Sequence, residues 1–430
     1  MKEIYLINAR IIDPKNNIDE IGGLIIDSSG TIKASGKKVA NGNLPSSVNK
    51  IDLKKHVLIP GIVDMRVFVG EPGYEYKENF RTLSNAALSG GVTSVVSMPN
   101  TNPVIDNVSM VDFLKRRGRD KSKINIFPAA SLTKNTEGKQ MTEFGLLKRK
   151  GIVAFTDGIK TVQNPEVMSR IMNFASQSES LIIQHAEDNI LSKDGLINEG
   201  EISTRLGLKG IPFLAEKIIV ERDLSLLEEY FCRYHISQIS SKKTISVIKK
   251  AKNDGKIFTT GVSINNLSLN ENDIGDFKTF LKLSPPLRTE DDRVSLVESI
   301  NDGTIDVIVS DHKPQDEESK RLTFAQAATG ASGIETLLPL ALELFHNKSV
   351  KIKKLISSLT SNPAKILGIN KGCLDKGYDA DLCIFDLNVP WVVDKDKIKS
   401  KSKNTPIENR KLQGKVSKTF VKGELAYESI

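Results

Sequence analysis

The sequence predicts an α/β fold in which a (β/α)₈ TIM-like barrel is accompanied by a small composite β-sandwich built from both termini. The first observation is that short β-rich runs alternate with amphipathic helical segments after Pro60, as in parallel sheets built from βαβ units. The second is that the segments on either side of this region are β-rich without a helical period. These patterns assign residues 1–58 and 370–430 to the sandwich and residues 59–369 to the barrel.

Eight strand candidates support the closed barrel. They are short runs rich in apolar and β-branched residues, at 62–68, 92–98, 124–129, 152–157, 181–186, 234–240, 257–263 and 306–311. Between them lie segments whose apolar residues recur at three- and four-residue spacing, for example 165–179 and 215–231. In such a barrel the carboxyl ends of the strands converge on one mouth, where functional side chains usually lie.

Composition indicates an ordinary soluble protein and argues against nucleic-acid binding or membrane insertion. The formal net charge is +8, but the 61 basic and 53 acidic residues are interspersed, whereas a polyanion site needs clustered charge. The one dense basic run, 394–406, is interpreted as a solvated loop. The chain begins without a signal pattern and has no run of eighteen apolar residues, so we expect a cytoplasmic location. The three cysteines are widely spaced and are expected to be free.

Polar and charged residues recur where the predicted strands end. In chain order they are Arg66 with the apolar Phe68, Asn100, Asp157, His185, Gln238, and Asp311 with His312. Imidazole and carboxylate both suit Zn²⁺, so Asp157, His185 and Asp311 are candidate metal ligands. Each also has a structural interpretation, since an Asp before a glycine is often a turn former and a lone His is often a hydrogen-bonded core residue.

Several motifs of the chain together resemble the dihydroorotases of the amidohydrolase superfamily, in that family's order. They are PGIVD, EPGYEYKE, GGVTSVVSMPNTNP, LIIQHAED, RLGLKGIPFLAE, KLSPPLR, DVIVSDHKP, GIETLLPL and SNPAKILG followed by GYDADLCIFD. The resemblance covers nearly the whole chain. It implies the amidohydrolase type of barrel with its β-sandwich, and the reversible hydrolysis of dihydroorotate to carbamoyl aspartate in pyrimidine synthesis.

Carried over position by position, the family's site is largely substituted. The metal-binding His-x-His of the first strand corresponds to Arg66 and Phe68, and the Arg that grips the substrate carboxylate corresponds to Gly70. A ligand His on the sixth strand becomes Gln238, an Asn before Pro-Pro becomes Ser284, and a His after the eighth strand becomes Gln315. What the resemblance leaves in place is Asp157, His185, Asp311 and the substrate-side Asn100.

These substitutions argue against metal-assisted hydrolysis. A guanidinium is permanently cationic and repels Zn²⁺, while buried carboxylates are costly unless they are paired. We therefore predict that Arg66 pairs with Asp311 or with Asp157. Asp311 is then only the remnant of a general base, and no cofactor is expected. His56, His235 and His346 are predicted to lie too far from the mouth to replace the missing ligands.

Three functional hypotheses follow. The first is a catalytically silent dihydroorotase-like protein that, by family resemblance, acts as a scaffold for aspartate carbamoyltransferase within an oligomer. The alternative is an active dihydroorotase with an unusual zinc site. The third is a ligand sensor that retains part of the pocket through Asn100.

Overall fold

The strands account for two large sheets and one small one. The computed structural model describes residues 2–40 and 49–429. Its strands are β1 (Ile4–Asp13), β2 (Ile18–Ile26), β3 (Ile32–Gly36), β4 (Asn49–Asp52), β5 (Val57–Pro60), β6 (Ile62–Val67), β7 (Val92–Ser97), β8 (Asn125–Ala130), β9 (Ala154–Phe155), β10 (Leu181–Gln184), β11 (Ile197–Asn198), β12 (Gly210–Ile211), β13 (Arg233–Ile236), β14 (Thr259–Ser263), β15 (Val307–Val309), β16 (Leu382–Val392), β17 (Lys411–Val421) and β18 (Glu424–Glu428).

The helices lie mainly between the strands of the barrel. They are α1 (Lys37–Ala40), α2 (Phe80–Ser89), α3 (Val108–Lys121), α4 (Phe144–Arg149), α5 (Pro165–Gln177), α6 (Glu201–Leu206), α7 (Phe213–Glu229), α8 (Lys242–Asn253), α9 (Ile264–Ser268), α10 (Glu290–Asn301), α11 (Glu317–Lys320), α12 (Leu337–His346), α13 (Ile352–Leu359) and α14 (Ser361–Leu367). Within the described residues, no helix is both long and apolar enough to cross a membrane.

The predicted barrel is confirmed. Eight parallel strands follow one another in the order β6, β7, β8, β9, β10, β13, β14 and β15. The first and last strands meet through a parallel bridge between Val67 and His312, where the Phe68 amide donates to the His312 carbonyl at 2.9 Å. Each of the eight predicted runs overlaps one of these strands; β8 extends one residue beyond its run, to Ala130, and β13 begins one residue before its run, at Arg233. The candidate residues at 157, 185 and 311 therefore lie in the loops that follow the strands.

Strands from both termini join one further sheet, as predicted. Its order is β18, β17, β16, β5, β1, β2 and β3, with β4 also paired to β1. Antiparallel pairing of β16 with β5 aligns Leu382 with Pro60, which connects the C-terminal strands to the N-terminal ones. The sheet has its own buried apolar cluster, which includes Leu6, Ile11 and Phe420. The boundaries at 58 and 369 stay predictions.

Helix α5 illustrates how local sequence sets these elements. The Asn164 side chain accepts a hydrogen bond from the Glu166 amide at 2.8 Å, and Pro165 occupies the first turn, where its missing N–H costs nothing. Apolar residues at helical spacing, such as Met168 and Ile171, are fully buried. The helix therefore packs one face against the barrel and leaves the other in solvent.

The interpretation of residues 394–406 as a solvated loop is wrong for the second half of that segment. Ser400 is fully buried, and its hydroxyl donates to a carboxylate oxygen of Glu78. The Asn404 side chain is also buried and donates to the Gly330 carbonyl at 3.0 Å. Small polar residues alternate with the lysines, so the segment can bury one side against the barrel while its lysine stems run outward.

Candidate functional site

The side chains at the carboxyl ends of the barrel strands are buried together at one mouth. Arg66 is 4% exposed and Asp311 is 7% exposed, although both carry charged groups. Asp157, His185 and Gln238 are also buried. Charged and amide groups of this kind are rarely buried without partners, so their hydrogen bonds decide what the site can do.

Arg66 spans the mouth and connects four strand ends. Its Nε donates to Asp311 Oδ1 at 3.0 Å, and its Nη1 donates to Ser237 Oγ at 2.9 Å and to the Gly158 carbonyl at 3.2 Å. Asp311 has a φ of 50°, a left-handed conformation that a non-glycine residue adopts only when its surroundings impose it. Of the two partners predicted for Arg66, the structure selects Asp311.

Asp157 has a different partner, Thr133. Its Oδ1 accepts from the Thr133 amide at 2.9 Å and its Oδ2 accepts from the Thr133 hydroxyl at 2.5 Å. Burial raises the pKa of Asp157 to about 6, and the Thr133 hydrogen bonds oppose that shift. Both oxygens are therefore already engaged in holding the loop after β8.

His185 lies against two groups that the sequence did not place there. Its Nε2 is 3.7 Å from Glu187 Oε2 and 3.5 Å from Ser284 Oγ. Burial raises the pKa of Glu187, but the hydrogen bond and charge of His185 outweigh this, so that the net pKa is lowered. Glu187 was missed by the sequence reasoning, although its position two residues after His185 was a usable signal.

The remaining polar groups of the mouth are poorly satisfied. Within the described part of the chain, both amide atoms of Gln238, His185 Nδ1 and Asn100 Oδ1 are buried and have no hydrogen-bond partner. Buried polar atoms are nearly always paired, so an unpaired set at a barrel mouth points to a ligand or to ordered solvent.

Gly70 cannot carry the carboxylate-gripping Arg that the resemblance implies at this position. Its φ is 83°, which L side chains rarely adopt. A Cβ atom there would lie 2.2 Å from the Glu78 carbonyl oxygen and 2.9 Å from the Tyr74 carbonyl oxygen. Any larger residue would require the loop after β6 to rearrange.

Phe68 and Gln315 have structural partners in place of metals. The ring of Phe68 packs against Tyr74 with centroids 5.8 Å apart. Gln315 donates from Nε2 to the Thr329 carbonyl at 2.9 Å and accepts from Lys77 Nζ at 2.8 Å. These contacts connect the loops after the first and eighth barrel strands.

His312 lies against a buried carboxylate. Its Nε2 is 3.4 Å from Glu78 Oε2, and both side chains are fully buried. Its Nδ1 accepts from the Gly333 amide at 3.2 Å. The other three histidines are also engaged elsewhere: His56 with Ser417, His235 with Thr259 and His346 with the Leu387 carbonyl. The distance of these three from the mouth stays a prediction.

The side chains present do not fit the zinc ions that the resemblance implies. A zinc site needs three or four converging thiolate, imidazole or carboxylate ligands. Among residues 2–40 and 49–429 no group of three His, Cys, Asp or Glu side chains is arranged to hold a metal. The Asp311 oxygen that would face a cation accepts instead from Arg66 Nε, so the positive charge at this point is a guanidinium.

Comparison with known proteins identifies the family. A family model described as dihydro-orotase-like matches residues 55–244. A protein named dihydroorotase from Ehrlichia canis (strain Jake) is 41% identical over 429 residues, which cover 99% of this chain and 95% of the relative. Another of that name, from Syntrophus aciditrophicus (strain SB), is 41% identical over 426 residues, which cover 99% of each chain.

Solved structures agree with the fold. The L-hydantoinase (dihydropyrimidinase) of Arthrobacter aurescens superposes with a TM-score of 0.89 at 23% identity, covering 100% of this chain and 96% of the other. At that identity the likeness speaks for the fold alone. Full-length relatives above 40% identity and the matching family model lead to one conclusion: the chain belongs to the dihydroorotase-like family.

Proposed function

We propose that this chain is a dihydroorotase-like protein of pyrimidine synthesis that no longer hydrolyses its ring substrate and instead serves as a scaffold for aspartate carbamoyltransferase. The observation that carries the first half of the proposal is the buried contact of 3.0 Å between Arg66 Nε and Asp311 Oδ1. Asp311, which the resemblance implies as a metal ligand, is here one half of an internal ion pair with Arg66.

The chemical argument concerns the nucleophile and the base. Ring opening of a cyclic amide by water at neutral pH needs an activated water and a group that accepts its proton. Asp311 Oδ1 already accepts a hydrogen bond from Arg66 Nε, so this oxygen is engaged in an internal contact and not in activating a water molecule. Asp157 does not replace it, since both of its oxygens accept hydrogen bonds from Thr133.

The scaffold half of the proposal rests on the parts of the fold that the chain retains. The barrel and terminal sheet are complete while the substituted positions cluster at the mouth. The test mixes the purified chain with aspartate carbamoyltransferase of the same organism and follows both by size-exclusion chromatography with light scattering. We expect co-elution of the two proteins as a hetero-oligomer. A transferase that is fully assembled and fully active without this chain would contradict the scaffold role.

A second candidate function is an active dihydroorotase with an unusual zinc site. The observation that favours it is that full-length relatives at 41–42% identity are named dihydroorotase. A ring-opening assay with purified protein and added zinc separates the two candidates. Turnover that Asp311→Ala abolishes would establish the enzyme and end the proposal of silence.

The matched control for that assay is Asp302→Ala. Asp302 is an exposed carboxylate paired with Lys249 at 2.8 Å, at the opposite end of the barrel. If wild type and both variants show the same background rate, the residual rate does not come from the mouth.

A further inference from the structure

Four lysines surround the mouth without a carboxylate partner. Lys77 lies in the loop after β6, Lys282 in the loop after β14, and Lys313 and Lys320 follow β15. In the described part of the chain, none of the four has a carboxylate oxygen within 4.0 Å of its Nζ. We call these residues the lysine cluster.

Two members of the lysine cluster are buried with unfilled donors. Lys282 is 7% exposed and its Nζ donates to the Ala325 carbonyl at 2.8 Å. Lys320 is 3% exposed and its Nζ donates to the Thr279 carbonyl at 2.9 Å. An ammonium group has three N–H donors, so each retains two that these contacts leave unused.

The other two members are partly exposed and lie nearer Arg66. Lys77 Nζ donates to Gln315 Oε1 at 2.8 Å. Lys313 Nζ makes no hydrogen bond to any described residue, and its charge interacts with those of Asp311, Arg66, Lys77 and Glu187. Lys313 therefore connects the lysine cluster to the strand ends.

Gly330 brings Lys313 and Lys282 together. Its amide donates to the Lys282 carbonyl at 2.9 Å, and a Cβ on it would lie 2.9 Å from Lys313 Cγ and 2.5 Å from the Lys313 carbonyl oxygen. Only a glycine permits this approach at its φ of 130°. The backbone is thus built so that two like charges share one wall of the mouth.

Burial of Lys282 and Lys320 is electrostatically unfavourable in the absence of an anion, because no carboxylate among the described residues offsets their charge. Burial lowers the pKa of Lys77, Lys282 and Lys320, and the pKa of Lys320 is lowered to about 7 with further contributions from the charges of Lys313 and Lys282. Lysines elsewhere in the chain are treated differently. Lys371, for example, is also largely buried and is paired with both Asp379 and Asp381 at 2.7 and 2.6 Å.

The unpaired polar atoms of the mouth are a second, independent observation. The Gln238 amide, His185 Nδ1 and Asn100 Oδ1 are buried without partners among the described residues. They lie in the loops after β7, β10 and β13, at the same end of the barrel as the lysine cluster. Both observations point to a polar ligand at this end of the barrel.

We propose that the lysine cluster binds a small anion with two or more negative charges, carried by carboxylate or phosphate oxygens. The Arg66 charge is already used by Asp311, so the four lysines supply the net positive charge of the site. The buried side chain of Asn404 donates to the Gly330 carbonyl and accepts from the backbone amide of Gln315, which holds the loop beside Lys313 in place. The proposal is independent of the proposed function, because binding requires neither turnover nor a transferase.

The test is isothermal titration of the full-length chain at constant ionic strength with three probes: inorganic phosphate, malonate and acetate. We expect phosphate or malonate to bind at least tenfold more tightly than acetate, and the tighter of the two identifies the oxyanion class. Equal, salt-like effects of all three probes would overturn the proposal.

Variants locate the binding. Lys313→Met and Lys77→Met affect partly exposed residues and should leave the fold intact, while each weakens binding by roughly tenfold. Lys115→Met is the matched control, because Lys115 is an exposed lysine on α3 that donates to one backbone carbonyl, that of Lys150, at 2.6 Å. Unchanged binding in both cluster variants, with circular dichroism spectra like that of the wild type, would also overturn it.

Discussion

The two ends of the barrel treat their charged and polar groups in opposite ways. At the amino end, Lys252 pairs with Asp306 at 2.9 Å, and the buried His235 shares a hydrogen bond of 2.8 Å with Thr259. At the mouth, four lysines have no carboxylate and several buried amide and imidazole atoms have no partner among the described residues. These groups of the amino end therefore have internal partners, whereas the named groups of the mouth lack them and are available to something that binds there.

Arg66→Met breaks the one strong internal pair at the mouth and should have the largest effect. It leaves the Asp311 carboxylate buried without its cation, which costs about 3–5 kcal/mol in the free energy of unfolding. Urea unfolding at pH 7 measures this. The double variant Arg66→Met with Asp311→Asn should recover most of the loss, because no charge is then stranded. A single variant as stable as wild type would show that the pair does not hold the mouth.

Substitution of His235 tests the amino end through the pH dependence of the free energy of unfolding. Burial lowers its pKa to about 3, with a smaller contribution from Lys252. The folded pKa lies below the unfolded value of about 6.5, so the unfolded chain binds the proton first and stability falls as pH falls from about 6.5 towards 3.

Between pH 7 and pH 5 this loss amounts to about 2 kcal/mol, and His235→Gln should remove it. The measurement is the free energy of unfolding at both pH values. The quantity compared between wild type and variant is the change in the free energy of unfolding from pH 7 to pH 5, so a constant difference in stability does not matter. The same slope in both proteins would mean that His235 is not held neutral.

Lys320→Met removes one charge from the lysine cluster and should stabilise the fold. Its folded pKa of about 7 lies below the usual 10.5, so the folded state disfavours the proton and loses stability as pH falls from above 10 towards 7. The gain from the substitution should be about 1–2 kcal/mol at pH 6, after the lost hydrogen bond to the Thr279 carbonyl is counted, and smaller at pH 10. A destabilised variant at pH 6 would show that this lysine is internally compensated like Lys371.

Much of the fold, and part of the site, could be predicted from the sequence. The period of the apolar residues is a local property, so all eight barrel strands and both terminal β regions were predictable. The strand ends then placed Arg66 and Asp311 at one mouth. The sequence also predicted that Arg66 pairs with one of two carboxylates, because a buried carboxylate needs a cation.

The rest depends on contacts between loops that are distant in sequence. The buried pair of Glu78 with His312, and the packing of Asn404 against Gly330, join residues far apart in the chain. The lysine cluster is likewise assembled from loops after three different strands, so its members looked like ordinary surface charges. The left-handed backbone at Gly70 and Asp311 also has no periodic signal in the sequence.

The central claim is that a guanidinium takes the place of the metals at this mouth. The most direct measurement is the zinc content of the purified chain after equilibrium dialysis against excess zinc, by mass spectrometry, alongside the double variant Arg66→His with Phe68→His. That variant restores a His-x-His beside Asp311 and removes the repelling charge. We predict substoichiometric zinc in the wild type and a gain in the double variant. One or more zinc ions per wild-type chain, lost on Asp311→Ala, would contradict the account.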